Sequence, residues 1–426
     1  MQLDPSNRTG YHPSLKLNPF SPNDPAKKDT FVGRKNELDI ITQSLYRTYN
    51  GKPEHILIKG ERGIGKTSLA IISEHTSIYL SEIANDQNIN YFTVFNSLGA
   101  TKNVEEVCIK ILENCSNKIK ESHNKVYKNI VEIFKNIKGF TIGSFGIQFD
   151  FKENARNVST NFDNLIKDIW NNIKDKYSAM LIIVDETDNI SNDINLASFF
   201  KSLIETLQRE NFNKIMFLFT VTPSGLNNML KGHEAFPRLF KAIEISNLTE
   251  DESNELVTNS LKLGEPILRA SKKFLNYVFA FSNGVPCFIH EICYAAFEVC
   301  EGSTLKYSDF KDGVLGKNNV KGAKDSIYDK HFRQQYTQDI LSNSYREILH
   351  IMSLYTIPVK ASEIIKKFSG KKHTCRTYLS RLVDRGIIKR EEGKLGYYNI
   401  PEEMFRLWLR FTDITQEMLM GNSKKT

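Results

Sequence analysis

Five short, almost unbroken apolar runs punctuate the first part of the chain: "HILIK" at 55–59, "YFTVFN" at 91–96, "MLIIV" at 180–184, "KIMFLFTV" at 214–221 and "AIEIS" at 242–246. Runs of Val, Ile, Leu and Phe without alternation suit strands buried on both faces, as in a parallel sheet. The segments between them repeat apolar residues at helical spacing. Strand and helix in alternation predict an α/β fold, a parallel sheet covered by helices on both sides, with any ligand at the strands' carboxyl ends.

Two stretches interrupt this rhythm. "NVEEVCIKILENCSNKIKESHNKVYKNIVEIFKNI" is an amphipathic helical stretch, and "GFTIGSFGIQFDFKEN" follows it. There Phe145, Ile147, Phe149 and Phe151 alternate with Gly146, Gln148, Asp150 and Lys152, which predicts a half-buried hairpin within an insertion at about 100–157. It reads equally as an assembly element, a DNA contact or a surface decoration. Further on, "NLTEDESNEL" opens a helical lid over 247–302, with Thr249 as cap and Glu252 as its capping-box partner.

Linker helices are expected over 303–340 and a separate module over 341–412, leaving 1–30 as an N-terminal extension, 31–246 as the core and 413–426 as a tail. In that module "YREILHIMSLY", "KASEIIKKF" and "HTCRTYLSRLVDRG" are three helical patterns with Pro or Gly breaks. "IIKREEGKLGYYNI" then alternates like a hairpin around a glycine turn. Three helices and a two-stranded wing make a winged helix-turn-helix, closed by "MFRLWLRF" with Leu407, Trp408 and Phe411 inward.

Charge changes this picture. The formal net charge is +7, and from Ser303 onward 23 Lys and Arg stand against 14 Asp and Glu. The body before it is near neutral, so the basic C-terminal third predicts an anionic partner, nucleic acid before membrane. Lys371, Lys372, His373, Arg376, Arg381 and Arg385 lie on the candidate recognition helix; Lys389, Arg390 and Lys394 lie on the wing. Arginines there can read guanine edges and lysines can neutralise phosphates. Winged helices also dock proteins, and that alternative stands. At 426 residues, 40% hydrophobic and 25% charged, the composition is that of a globular chain of two or three domains. No apolar run approaches the roughly 18 residues of a spanning helix, and "MQLDPSNRTG" lacks a signal peptide's apolar core. Six cysteines without C-x-x-C spacing read as reduced thiols, so a cytoplasmic protein is expected.

The first strand runs into Gly60-Glu61-Arg62-Gly63-Ile64-Gly65-Lys66-Thr67-Ser68, which matches G-x-x-x-x-G-K-[ST] between a strand and a helix. Glycines let backbone N–H groups converge on phosphate oxygens, and the next helix directs its positive end at the same anion. Lys66 reaches the β- and γ-phosphates of ATP, and the Thr67 hydroxyl ligates Mg²⁺. Hydrolysis needs a carboxylate-bearing strand as well. "LIIVDETDNI" supplies Asp185 to hold Mg²⁺ and Glu186 to orient or deprotonate water. Thr220 and Thr222, ending a third strand, are either polar sensors of the γ-phosphate or plain strand-enders.

With these parts, the chain resembles an AAA+-type ATPase of the origin-recognition-complex-like and archaeal/STAND-like group. "NPFSPNDPAKKDTFVGRKNEL" carries that resemblance as much as the loop does. It implies that Phe31, Val32 and Arg34 lie beside the adenine, and that Arg238 in "HEAFPRLFKAIEI" is an arginine finger given to a neighbouring subunit. Gly284-Val285-Pro286 resembles the G-x-P turn of the STAND-like branch, which brings Pro286 towards the nucleotide. The lid arginine of that family is missing, with His290 as a weak substitute. The resemblance implies a homo-oligomer with ATP at subunit interfaces, acting on DNA as a regulator or loader in replication, transposition or anti-phage defence. It equally implies, as the alternative, a signalling switch whose winged helix docks protein and controls a separately encoded effector.

Overall fold

In the computed structural model, residues 16–99, 101, 103–122, 140–143, 146–149, 156–189, 196–230, 236–317, 319–333, 340, 342–355, 357–391, 393–401 and 405–410 are described. The chain divides into two compact units, one of residues 25–28 and 33–246 and one of 1–24, 29–32 and 247–426.

The first unit begins with helix α1 (Lys35–Tyr49), then strand β1 (His55–Lys59), α2 (Lys66–Ile78), β2 (Tyr91–Ser97) and α3 (Val104–Ser122). The strands β3 (Phe140–Gly143) and β4 (Gly146–Phe149) pair as an antiparallel hairpin, with β4 against α3. Phe145 and Phe151 of the expected alternation lie outside the described residues. After these come α4 (Phe162–Ile173), β5 (Ala179–Asp185), α5 (Leu196–Arg209), β6 (Ile215–Val221), α6 (Pro223–Leu230) and β7 (Phe240–Glu244).

The sheet order is β2-β5-β6-β1-β7, parallel throughout. Every residue of β5 and β6 is buried, which is why those runs carry no polar alternation. Helix α4 buries Phe162, Leu165, Ile166, Ile169, Trp170 and Ile173, one helical stripe. On α5, Phe200 meets Phe217 and Phe219 edge-on at 5.7 and 4.8 Å. Each such ring removed from water contributes about 1.5–3 kcal/mol. That packing fixes the strand ends, and so the loops that leave them.

The second unit holds α7 (Glu250–Leu261), β8 (Arg269–Ala270), α8 (Lys272–Ser282), α9 (Pro286–Val299), β9 (Thr304–Leu305) and α10 (Tyr307–Leu315). Thr249 caps α7 with the reciprocal Glu252 bond. Gly284, at φ 73°, accepts the Leu248 N–H at 2.9 Å through its carbonyl, and a Cβ there would lie 2.0 Å from Leu248 O. Only glycine fits that turn. Part of the N-terminal extension belongs here. Lys16 Nζ donates to the Phe297, Glu298 and Cys300 carbonyls at 3.3, 2.9 and 2.6 Å, a cation on the end of α9 where carbonyls are unpaired. Phe20 and Val32 are buried among lid residues.

The C-terminal module is a winged helix: α11 (Asn343–Ser353), β10 (Val359–Lys360), α12 (Ala361–Lys367), α13 (Lys372–Asp384), β11 (Lys389–Arg390) and β12 (Tyr397–Asn399). Its sheet has three strands, β10-β12-β11, one more than the expected wing. Residues 405–410 are helical, and Leu407 and Trp408 are buried in the module's core. Phe411 lies outside the described residues.

Candidate nucleotide site

The loop after β1 is held open by its own geometry. Gly65 precedes α2 at φ 102° with no side-chain cap on the helix. A non-glycine residue is strained at that φ, and the first-turn N–H groups of α2 are left to an anion. Gly60 is packed: a Cβ would approach Ile64 Cγ2 to 2.8 Å. Lys66 Nζ donates to the Gly60 and Glu61 carbonyls at 2.9 and 3.0 Å, so the cation is folded back over the loop. Burial holds its pKa below the usual lysine value, opposed by the charges of Asp188 and Asp185. Ser68 Oγ accepts the Ala26 N–H at 3.0 Å, and Ile64 is buried. Arg34, at φ 62°, donates to Ile64 O at 3.3 Å and is itself buried. Arg62 is exposed; Glu61 and Gly63 are half-buried.

Sheet register brings the carboxylates to this loop. Lys59 pairs with Val221 and Val184 with Phe219, so β1, β6 and β5 end together. Thr67 Oγ1 donates to Asp185 Oδ2 at 2.9 Å across a separation of 118 residues. Asp185 is 1% exposed. Burial pushes its pKa up, while hydrogen bonds from the Thr220 and Thr67 hydroxyls pull the other way. Glu186 is exposed, has φ 62°, and accepts from Ser97 Oγ at 3.3 Å. A left-handed glutamate costs about 1–2 kcal/mol, and such strain gathers where surrounding structure imposes it.

Thr220 makes its contacts to the carboxylate turn. It is fully buried; its hydroxyl donates to Asp185 Oδ1 at 2.5 Å and accepts the Glu186 N–H at 3.0 Å. It therefore holds the Asp185 carboxylate and the Glu186 backbone. Ser97 and Asp188 were not singled out from sequence. Ser97 stands opposite Asp185 in the β2–β5 register, which only the sheet order reveals.

The other expected site residues lie on several elements. Arg238 is exposed on the turn Phe236–Leu239 before β7. Phe31, Val32 and Pro286 belong to the second unit; Pro286 is the first residue of α9. His290 meets Phe20 edge-on at 5.9 Å, its buried Nδ1 has no hydrogen-bond partner, and burial pulls its pKa down to about 4. That is a neutral packed histidine. On the winged helix, Lys372, His373, Arg376 and Lys394 are exposed, as are Lys371, Lys389 and Arg390. Arg381 is exposed and interacts electrostatically with Tyr345, and the Arg385 guanidinium lies 5.2 Å over the same ring. Two of the three recognition-helix arginines are thus engaged within the module.

A phosphate loop hydrogen-bonded to Asp185 at the end of a buried parallel strand is the arrangement of a P-loop nucleoside triphosphatase site. Residues 35–234 match the sequence profile of the KAP family P-loop domain. Over 401 residues the chain is 22% identical to an uncharacterized HTH-type transcriptional regulator of Methanocaldococcus jannaschii, covering 92% of this chain and 91% of that one. The fold is similar to that of the ORC2 protein of Aeropyrum pernix, solved as ADPNP–ADP complexes, with a TM-score of 0.53 and 13% identity over 95% of this chain and 98% of that one. It is also similar to a Walker-type ATPase of Pyrococcus abyssi, TM-score 0.53 and 14% identity, over 92% and 99%. Just under half of the chain thus matches a P-loop domain, and the fold is similar to that of these ATPases. Among the described residues, no helix is long and apolar enough to cross a membrane.

Proposed function

We propose that this protein is an ATP-hydrolysing switch that assembles on duplex DNA, with ATP bound between the loop at Gly60–Ser68 and the carboxylates Asp185 and Glu186. The observation that carries this reading is the Thr67–Asp185 hydrogen bond, which joins the two halves of a phosphoryl-transfer site. Backbone N–H groups of the loop and the start of α2 hold phosphate oxygens, and Lys66 neutralises the β- and γ-phosphates. A hydroxyl and a carboxylate are hard oxygen donors, the set that suits Mg²⁺. When bound, that ion neutralises charge developing on the phosphates. Glu186 orients water or takes its proton, held by the Ser97 hydroxyl and by the Thr220 contact to its amide. Arg238, exposed, is offered to the site of a neighbouring copy, so turnover depends on assembly.

DNA binding is assigned to the exposed Lys372, His373, Arg376 and Lys394, with Arg381 contributing through the geometry Tyr345 gives it. The similarity to an uncharacterized HTH-type transcriptional regulator of M. jannaschii supports this reading. The setting would be a regulator or loader subunit in replication, transposition or anti-phage defence. The engagement of Arg381 and Arg385 by Tyr345 favours a second reading, a STAND-like switch whose winged helix docks protein.

Phosphate release and a mobility shift on duplex DNA test both. We expect Lys66→Ala to lose ATP binding, and Glu186→Gln to bind ATP but lose about 10²–10⁴ in turnover. Unchanged phosphate release in Glu186→Gln leaves only a nucleotide-binding scaffold. No DNA shift at any salt concentration favours the protein-docking switch.

A further inference from the structure

The turn that carries the two carboxylates is tied along its length to the end of β6. Asp185 and Glu186 are held by Thr220 as described above. Next along the chain, Thr187 is buried, and its Oγ1 donates to Thr220 O at 2.7 Å. Asp188, half-buried, then accepts the Thr222 N–H through Oδ1 at 3.3 Å. Thr222 in turn accepts the Gly225 N–H through its own Oγ1 at 3.1 Å, ordering the first turn of α6. Gly225 lies so close that a Cβ there would stand 2.4 Å from Asp188 Cβ and 3.1 Å from Asp188 Cα. Four consecutive residues, 185–188, are thus matched to one short segment, 220–225.

Resting on the ATPase reading above, we infer that Asp188 is a further positioning residue: its carboxylate staples the carboxylate turn to the start of α6 and so keeps Glu186 in its left-handed conformation. Glu186 stands at φ 62°, a conformation an L-residue leaves unless its neighbours hold it on both sides. Upstream it is held by β5. Downstream, Thr187 and Asp188 grip the end of β6 and the residue that leads into α6. Without that grip the turn relaxes and the Glu186 carboxylate leaves the direction that its backbone dictates. A displacement of about 1 Å at a catalytic group lowers turnover by as much as about a hundredfold.

Asp188 also stands first among the charges that oppose the burial of Lys66, so a purely electrostatic role is the rival explanation. Asparagine separates the two. Its Oδ1 accepts the Thr222 N–H as aspartate does, and it carries no charge. The experiment measures ATP turnover and the Kd of a fluorescent ATP analogue for the full chain and for Asp188→Ala, Asp188→Asn and Gly225→Ala. The nucleotide Kd also reports that the site is folded. We expect Asp188→Ala and Gly225→Ala to lose about tenfold to a hundredfold in kcat, with Kd within about threefold of wild type. Asp188→Asn should recover most of that loss.

Equal kcat in Asp188→Ala and wild type overturns the staple. Equal loss in Asp188→Asn and Asp188→Ala overturns it in favour of charge, and parallel loss of nucleotide binding overturns it in favour of a general structural role. A wild-type chain that releases no phosphate overturns the ATPase reading itself, whereas an active wild type with an unaffected Asp188→Ala sinks only this inference.

Discussion

His55 opens the strand that leads into the phosphate loop, and its chemistry sets a pH limit on the first unit. It is 3% exposed, its Nδ1 accepts the Phe217 N–H at 3.1 Å, and its ring lies 5.6 and 5.9 Å from those of Phe217 and Phe240. Nδ1 being the acceptor, the neutral ring carries its proton on Nε2, which is buried without a partner. Burial pulls the pKa from 6.5 to about 4. Between those values the unfolded chain binds more protons than the folded one. Stability is therefore intact above the unfolded pKa and falls as pH drops towards the folded one. The full shift is worth about 3 kcal/mol, of which about 2 kcal/mol is lost between pH 7 and 5. His55→Asn keeps an acceptor for Phe217 and removes the titration. It opens a small cavity, costing about 1–2 kcal/mol at every pH, so the informative quantity is the slope with pH. Urea unfolding at pH 7, 6 and 5 measures it. A Trp408→Phe background leaves Trp170, in the first unit, as the only tryptophan reporter. We expect wild type to lose about 2 kcal/mol more than His55→Asn over that range. Other titrating groups cancel in the difference between the two chains. Equal pH slopes refute the reasoning.

Three further outcomes are expected. Arg238→Ala should lower turnover by about a thousandfold while leaving ATP affinity unchanged, and mixing it with Lys66→Ala should restore activity if the arginine serves a neighbour. Lys372→Ala and Arg376→Ala should each reduce the slope of log K against log salt in DNA titrations by about 1, whereas salt-independent binding would place the contacts elsewhere. Gly284→Ala should destabilise the second unit by about 2–4 kcal/mol, from the positive φ and loss of the Leu248 amide bond, read as a lower urea midpoint; an unchanged midpoint would mean that the turn readily gives way.

The parts legible in sequence were those that local chemistry dictates. The strands of the parallel sheet announce themselves because burial on both faces leaves no polar alternation, and the phosphate loop because only glycine-rich backbone can wrap an anion. The capping box at Thr249 and Glu252 is a three-residue signal and needed nothing distant. What stayed illegible depends on partners far along the chain. Lys16 meets carbonyls at 297–300, and Tyr345 engages Arg381 and Arg385. Strand β10 is two residues long, too short for any periodicity. Thr220 reads as a sensor when it is the last polar residue of an apolar strand. It becomes a support for Asp185 only once β5 and β6 are seen as neighbours.

The division into units gives the segment Phe31–Arg34 a particular weight. Val32 is buried with Leu248, Leu256 and Leu261 in the lid's core, and two residues later the Arg34 guanidinium holds the Ile64 carbonyl inside the phosphate loop. Arg34 also takes a left-handed conformation at the start of α1, a strain of about 1–2 kcal/mol for a non-glycine residue. Covalent continuity thus ties a fixed point in the lid to a fixed point in the loop through Gly33 alone. A change in the loop that frees Ile64 O removes one of the contacts of Arg34, which also faces Glu37 at 3.9 Å. In the switch proposed above, a connection this short would pass a change on where a slack linker would absorb it. The winged helix belongs to the same unit as Val32, and its core shares Val285 and Phe288 with the lid. Apolar packing of the winged helix therefore reaches the first turn of α9, whereas Val32 packs in a neighbouring cluster of the same unit.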